Sequence, residues 1–310
     1  MGFRYEGAKT STIPFLPHLC VMLSDLYIIL TASFISISCA LIGSFLILRK
    51  MAMVGDAISH AVLPGIVLAY LIAGNRNNLA MLVGAVVIGI LATVLIEIFH
   101  KKTKLQEDAS IGLTFTWLFA LGVILISVFS GQVDLDQECV LYGEIAYVPL
   151  DTWYTATGFS MGPRPLWVAT GLMLLVILFV WRGYRGLFIT SFQPEYAAVI
   201  GIAVGAWHYG LMAMVSVTTV LSFESVGAIL VVALLIAPAA AAYLLTENLP
   251  KMLALAAVFG VIASIAGYYL AYWLDGSIAG AISVVCGIIF LISLAVSKLP
   301  KKHMATISNE

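Results

Sequence analysis

Charge-free apolar runs dominate the chain from residue 26 to residue 297. They span 26–48, 57–75, 77–96, 109–133, 165–181, 196–223, 225–246, 252–274 and 276–297, each without Asp, Glu, Lys or Arg. The runs are apolar all round and rich in Gly and Ala, as tightly packed membrane helices are. A helix of about 20 apolar residues crosses the hydrocarbon core of a bilayer. The pattern therefore predicts an all-α, polytopic membrane protein of nine helices. The run 165–181 is short for a span and 196–223 is longer than one requires, so eight helices also fit. The first run is too long for a signal-peptide core, and no clear small-residue cleavage site follows it.

The polar positions between the runs give an orientation. In a nine-helix alternation Arg49, Lys50, Lys101, Lys102, Lys104, Arg182, Arg185, Lys251, Lys298, Lys301 and Lys302 share one side, which is 11 of 15 basic residues. Arg4, Lys9, Arg76 and Arg164 share the other. The positive-inside rule makes the first side cytoplasmic, with the N-terminus outside and the C-terminus inside. The expected organisation is an N-terminal segment 1–25, one membrane domain 26–298 and a cytoplasmic tail 299–310. Two connections are long: 131–164 outside and 182–205 inside. Long loops in compact proteins are more often functional than incidental.

Composition agrees and excludes several classes. The 310 residues are 62% hydrophobic and 10% charged, with a mean hydropathy of +1.07. A soluble domain is roughly 25% charged, and disorder needs low hydrophobicity with high net charge. The formal charge of −1 gives no reason to expect a nucleic-acid partner. Cys20, Cys39, Cys139 and Cys286 form no C-x-x-C pair and read as unpaired thiols. There is no G-x-x-x-x-G-K-[ST] phosphate loop and no extended hydrophilic region to house an enzyme, so energy must come from another polypeptide or from an ion gradient.

The sharpest candidate chemistry is Asp56 and His60 in VGDAISHAVLPG. Four positions apart on a helix, they share one face about 6 Å apart along the axis. A carboxylate and an imidazole together can ligate a divalent first-row metal, and ionisable groups near a membrane interior mark pathways by default. The alternative is that Asp56 caps its helix and His60 hydrogen-bonds a neighbouring helix. Pro64 and Pro238 interrupt apolar runs and read as packing kinks or as hinges lining a pathway. The external loop crowds Asp134, Asp136, Glu138, Glu144 and Asp151 together without Lys or Arg. Such a loop attracts cations or docks a partner, or is simply solvated. Cys139 in that loop reads as a packing residue. Glu97 and His100 beside Lys101 and Lys102 read as ion-paired or snorkelling groups. His208 reads as hydrogen-bonded at a helix contact, Glu224 as solvated at the outer interface, and Asp25 and Asp275 as interface residues.

A family resemblance joins these features. LRKMAMVGDAISHAVLPGIVLAYLI resembles the signature of the metal-ion ABC transporter permeases, which import manganese, zinc or iron into bacteria. FESVGAILVVALLIAPAAAAYLLTENL resembles that family's second long signature. SFQPEYAAVIG resembles its cytoplasmic F-D-P-E-x-A-x-x-x-G segment, with Gln193 in place of the usual Asp. GQVDLDQECVLYGEIAYVPLD resembles the external loop of the manganese or iron branch. The four matches run in order from about residue 26 to about residue 298.

The resemblance implies a type II ABC importer permease in the bacterial inner membrane. It implies two permease subunits, identical or related, around a central path, with a cytoplasmic ATPase dimer and an extracytoplasmic metal-binding protein as partners. Asp56 and His60 match the family's metal-binding residues, and Phe192, Pro194, Glu195 and Gly201 its ATPase-coupling segment. Asp134, Asp136, Glu138 and Glu144 would contact the incoming cation or the binding protein. No permanently bound cofactor is implied; Mn²⁺ is the expected cargo, with Fe²⁺ or Zn²⁺ as alternatives. The main rival is an ion-gradient-coupled secondary metal transporter. Such folds usually show inverted repeats and broken midplane helices, and no internal repeat is visible here. An intramembrane enzyme would need a fuller catalytic set than Asp56 and His60.

Overall fold

The computed structural model describes residues 16–73, 78–103, 106–129, 145–154 and 160–298. Among them, eleven α-helices follow in order: α1 (Leu16–Leu48), α2 (Val54–Ala61), α3 (Leu63–Ala73), α4 (Asn78–Thr103), α5 (Glu107–Phe129), α6 (Arg164–Phe192), α7 (Pro194–Val199), α8 (Val204–Val226), α9 (Ala228–Leu245), α10 (Leu249–Leu274) and α11 (Ile278–Lys298). Nine spans among the described residues are long and apolar enough to cross a membrane, with α2 and α3 together making one of them.

Both doubtful runs resolve physically. The short run 165–181 ends at Arg182, yet α6 continues for 29 residues to Phe192 and carries Arg182 and Arg185 in its final third. Long cationic side chains at a helix end reach back to water, so they need not stop the helix. The long run 196–223 is divided between α7 and α8. The inner connection thus shortens from the expected 182–205 to residues 193–203.

The turns of this connection have clear causes. Gln193 leaves helical geometry and Pro194 starts α7 at N1, where its missing N–H costs nothing. Gly201 ends α7 at φ +80°. The Ile202 N–H donates to Ala197 O at 2.9 Å and the Gly201 N–H to Ala198 O at 3.2 Å. This pair of bonds is a Schellman cap, and its left-handed residue favours Gly.

Helix α1 is the spine, packing on α6, α9 and α10. Its residues Ile35, Cys39, Ile42, Phe45 and Leu46 are fully enclosed. Two hydroxyls within it bond back one turn, Thr31 to the Tyr27 carbonyl at 2.8 Å and Ser44 to the Ala40 carbonyl at 2.7 Å, so these two enter an apolar interior with their donors met. Gly43 lets α1 press directly on the Leu235 carbonyl of α9, with no room for a Cβ. Gly65 of α3 and Gly84 of α4 meet backbone to backbone in the same way. Small residues provide this close approach where no hydrophobic effect drives helices together.

The described part of the connection between α5 and α6 holds a short 3₁₀ turn (Ile145–Tyr147) and a two-stranded antiparallel sheet of β1 (Thr152–Tyr154) and β2 (Ser160–Pro163). Ile145 and Val148 are buried in the core, whereas Asp151 is exposed. Asp134, Asp136, Glu138, Cys139 and Glu144 lie outside the described residues.

Candidate metal centre

The chain reaches the Asp56–His60 pair through a tight turn. Helix α1 closes with Lys50 N–H donating to Ile47 O at 3.0 Å and Met51 N–H to Leu46 O at 2.9 Å. Lys50 takes the left-handed conformation, φ 61°. Helix α2 then lasts only eight residues, with Asp56 in its first turn and His60 in its last.

His60 Nε2 stands 3.7 Å from Asp56 Oδ1, with the two side chains 34% and 38% exposed. That distance is too long for a good hydrogen bond, so neither group saturates the other. The His60 ring rests against α5, with centroids 6.0 Å from both Phe115 and Phe119, the second edge-on. On its buried side α2 has Gly55 against the Leu235 side chain and Ile58 near Gly89 and Ser216.

These contacts set the depth. Phe115 and Phe119 lie eight and twelve residues into the 23-residue α5, about 12 and 18 Å along an axis of about 34 Å. The His60 ring therefore packs beside the first half of α5. Asp56 itself is the third residue of the span Val54–Ala73, one turn nearer its start than His60.

The run 57–75 forms one helical span whose hydrogen-bond ladder is interrupted. It breaks at Val62, between α2 and α3. Pro64 has no N–H for the His60 carbonyl, its partner in a continuous helix, and the Gly65 N–H bonds Val62 O at 2.9 Å. The ladder thus opens at the residue whose imidazole faces Asp56. Pro238 behaves differently: it is buried inside α9, which runs unbroken from Ala228 to Leu245.

Among the described residues, no three His, Cys, Asp or Glu side chains gather as a metal site. The pair supplies two ligands and an open side. Cys39 and Cys286 are buried free thiols, as their apolar runs predict. Asp25 adjoins Tyr268, and Asp275 ends α10 in a left-handed turn. Glu224 falls in the final turn of α8.

The matched inner segment lies about α7. Phe192, Pro194, Glu195 and Gly201 are all exposed, as are the intervening Tyr196 and Val199, the latter at 84%. Only Ala197 of α7 is buried. Gly201 serves the cap, so its place in the motif has a backbone cause.

A second inner cluster went unread in the sequence. Arg49 Nε donates to Ser191 Oγ at 3.0 Å, Nη2 to Thr190 Oγ1 at 2.9 Å, and Nη1 approaches His208 Nδ1 at 3.4 Å. An arginine only donates, so His208 Nδ1 accepts and its proton sits on Nε2. The expected helix-contact hydrogen bond of His208 is this one. Burial pushes the Arg49 guanidinium down to about 10, so it stays charged at neutral pH. Neither of the close acid–base pairs His60–Asp56 and Lys101–Glu97 includes Arg49. Lys101 pairs with Glu97 one turn away, the pairing its sequence position predicts. In sequence Arg49 signals only topology; its place between α1 and the Asp–His helix was the available hint.

The geometry has close relatives. A manganese transport system membrane protein, MntD of Bacillus subtilis (strain 168), is 45% identical over 282 residues, covering 90% of this chain and 95% of its own. A zinc transport system membrane protein, TroD of Treponema pallidum (strain Nichols), is 44% identical over 267 residues, covering 85% and 71%. The solved structure of PsaBC from Streptococcus pneumoniae in complex with a Fab aligns with a TM-score of 0.71 at 34% identity, covering 87% of this chain and 90% of that one. A multi-pass, all-helical architecture and a family-model match over residues 26–297 lead to one conclusion: the chain belongs to the ABC 3 transport family.

Proposed function

We propose that this chain is the membrane permease subunit of an ATP-driven ABC importer for divalent metal ions, with Mn²⁺ the first candidate and Fe²⁺ or Zn²⁺ behind it. The observation that carries this reading is the Asp56–His60 pair, on one face in the first half of the span Val54–Ala73 and partly open. A carboxylate and an imidazole at that depth are costly against lipid. Their open side therefore belongs to a water-filled path or to a second permease. Two ligands do not complete a first-row metal's coordination shell. A second permease, identical or related, would bring two more from the facing α2, a self-complementary arrangement across a two-fold axis. The names of the manganese and zinc relatives support metal as cargo.

Energy enters from a separate ATPase dimer, as befits a chain without a phosphate-binding loop. The exposed, apolar α7, framed by Phe192, Pro194, Glu195 and Gly201, offers it a docking surface. An extracytoplasmic metal-binding protein would deliver the ion near the outer connection, where Asp134, Asp136, Glu138 and Glu144 concentrate negative charge. Metal binding requires His60 neutral and Asp56 ionised, so protons compete with the cation and uptake weakens in acid.

Metal accumulation in cells lacking the chain, compared across Mn, Fe and Zn, tests the reading. Restoration of one metal by the wild-type chain, and by none of its His60→Ala form, is the expected result. Uptake that persists when the partner ATPase's phosphate loop is mutated would favour ion-gradient coupling instead.

A further inference from the structure

The helices on either side of α7 and the turn that leads into the metal helix are separate in sequence but meet at one side chain. Thr190 and Ser191 belong to the last turn of α6, directly before the Gln193–Pro194 break that starts α7. His208 lies in the second turn of α8, the helix that follows α7. Arg49 hydrogen-bonds all three, so one guanidinium spans the entry to α7 and the exit from it. Arg49 is also the first residue after α1 and precedes Asp56 by seven positions. Its backbone N–H donates to Phe45 O at 3.1 Å, which fixes it to the end of α1.

The chemistry of the contact suits a movable link. The planar fork of Arg holds two hydroxyls and a ring nitrogen in one orientation, which a flexible ammonium would not. All three partners are neutral. A carboxylate would hold the cation more strongly, but neutral acceptors hold it loosely enough for the contact to break and re-form. Thr190 Oγ1 also donates to the Gly186 carbonyl at 2.7 Å, so this hydroxyl is not stranded when the guanidinium leaves. Two alternative arrangements of one contact are what a switching element requires.

We propose that Arg49 is a positioning residue that transmits displacement of α7 to the Asp56–His60 helix, coupling ATP hydrolysis to metal release. This rests on the docking reading of α7. When α7 moves, Thr190, Ser191 and His208 move with it, and the guanidinium carries that motion to the α1–α2 turn.

The test uses the complete complex, permease with its ATPase subunits and binding protein, in proteoliposomes supplied with Mn²⁺. ATP hydrolysis and Mn²⁺ accumulation are measured together. Arg49→Gln removes the fork; Thr190→Val with Ser191→Ala removes its two hydroxyl acceptors and leaves Arg49 and His208 in place. Both should retain the ATPase and hydrolyse ATP within about twofold of wild type, with Mn²⁺ accumulated per ATP falling at least tenfold. A purely structural role would lower both activities together and leave their ratio unchanged. An unchanged ratio in the acceptor variant overturns the proposal, even where Arg49→Gln fails to assemble. The docking reading has its own arm: Tyr196→Asp on α7 should release the ATPase on purification. Retention of the ATPase there overturns docking, a failure separate from an unchanged ratio at Arg49.

Discussion

His60 and Asp56 face each other across 3.7 Å on a helix of eight residues, each about a third exposed. The pair is close enough to share a cation and too far apart to satisfy itself by a hydrogen bond. His60→Ala and Asp56→Asn should each reduce metal accumulation more than tenfold. Neither should change stability by more than about 1 kcal/mol, because a partly exposed pair contributes little to folding. Parallel measurement of uptake and of thermal unfolding in detergent checks both parts.

Pro64 lies four residues beyond His60 and leaves its carbonyl without a helical donor. Pro64→Ala restores that N–H and removes the reason for the break at Val62. The expected result is a gain of about 1 kcal/mol or more in stability together with a severalfold loss of uptake, since a continuous helix would reorient the His60 face. Higher melting temperature with unchanged uptake would show that the break has no part in transport.

Gly43 and Gly201 should respond differently to the same substitution. A Cβ on Gly43 would collide with the Leu235 backbone carbonyl, which cannot turn away. Gly43→Ala should destabilise the bundle by about 1–3 kcal/mol, as overpacking does. Gly201 has open space around it but sits at φ +80°. Gly201→Ala should cost about 1 kcal/mol through backbone strain alone, and it should loosen α7 rather than the core. Melting temperatures of the two variants, with ATPase co-purification for the second, distinguish these effects.

Arg49 is a half-buried cation without a carboxylate partner among the described residues. Burial favours its neutral form and lowers its pKa to about 10. The unfolded chain, with the higher pKa, therefore binds the proton more firmly. The resulting cost to stability is full below pH about 10 and is relieved as the pH rises above it. Arg49→Met keeps the bulk and removes the charge. Its stability should equal or exceed wild type by about 1 kcal/mol, while coupled transport is lost. A variant that is both stable and active would separate the charge from function.

Much of the fold was legible because helix length and hydropathy are local properties. Charge-free runs gave the spans, and basic residues marked their ends. The spacing of Asp56 and His60 put them on one face of any helix. The lengths of α6 and α7 were not legible, because Arg182 and Arg185 look like boundaries when only charge is counted. A Pro in an apolar run signals an interruption without saying whether the helix parts, as near Pro64, or continues, as through Pro238.

The sequence by itself determined the spans, the shared face of the Asp–His pair and the resemblance of its inner segment, since each follows from neighbours a few residues apart. Only the tertiary structure decided that His60 packs against Phe115 and Phe119 of α5. It also joined Arg49 to Thr190, Ser191 and His208, which are 141, 142 and 159 positions away. Depth and long-range contact depend on which helices pack together and how closely. Backbone meetings such as Gly43 on Leu235 set that distance, and no local period along the chain encodes it.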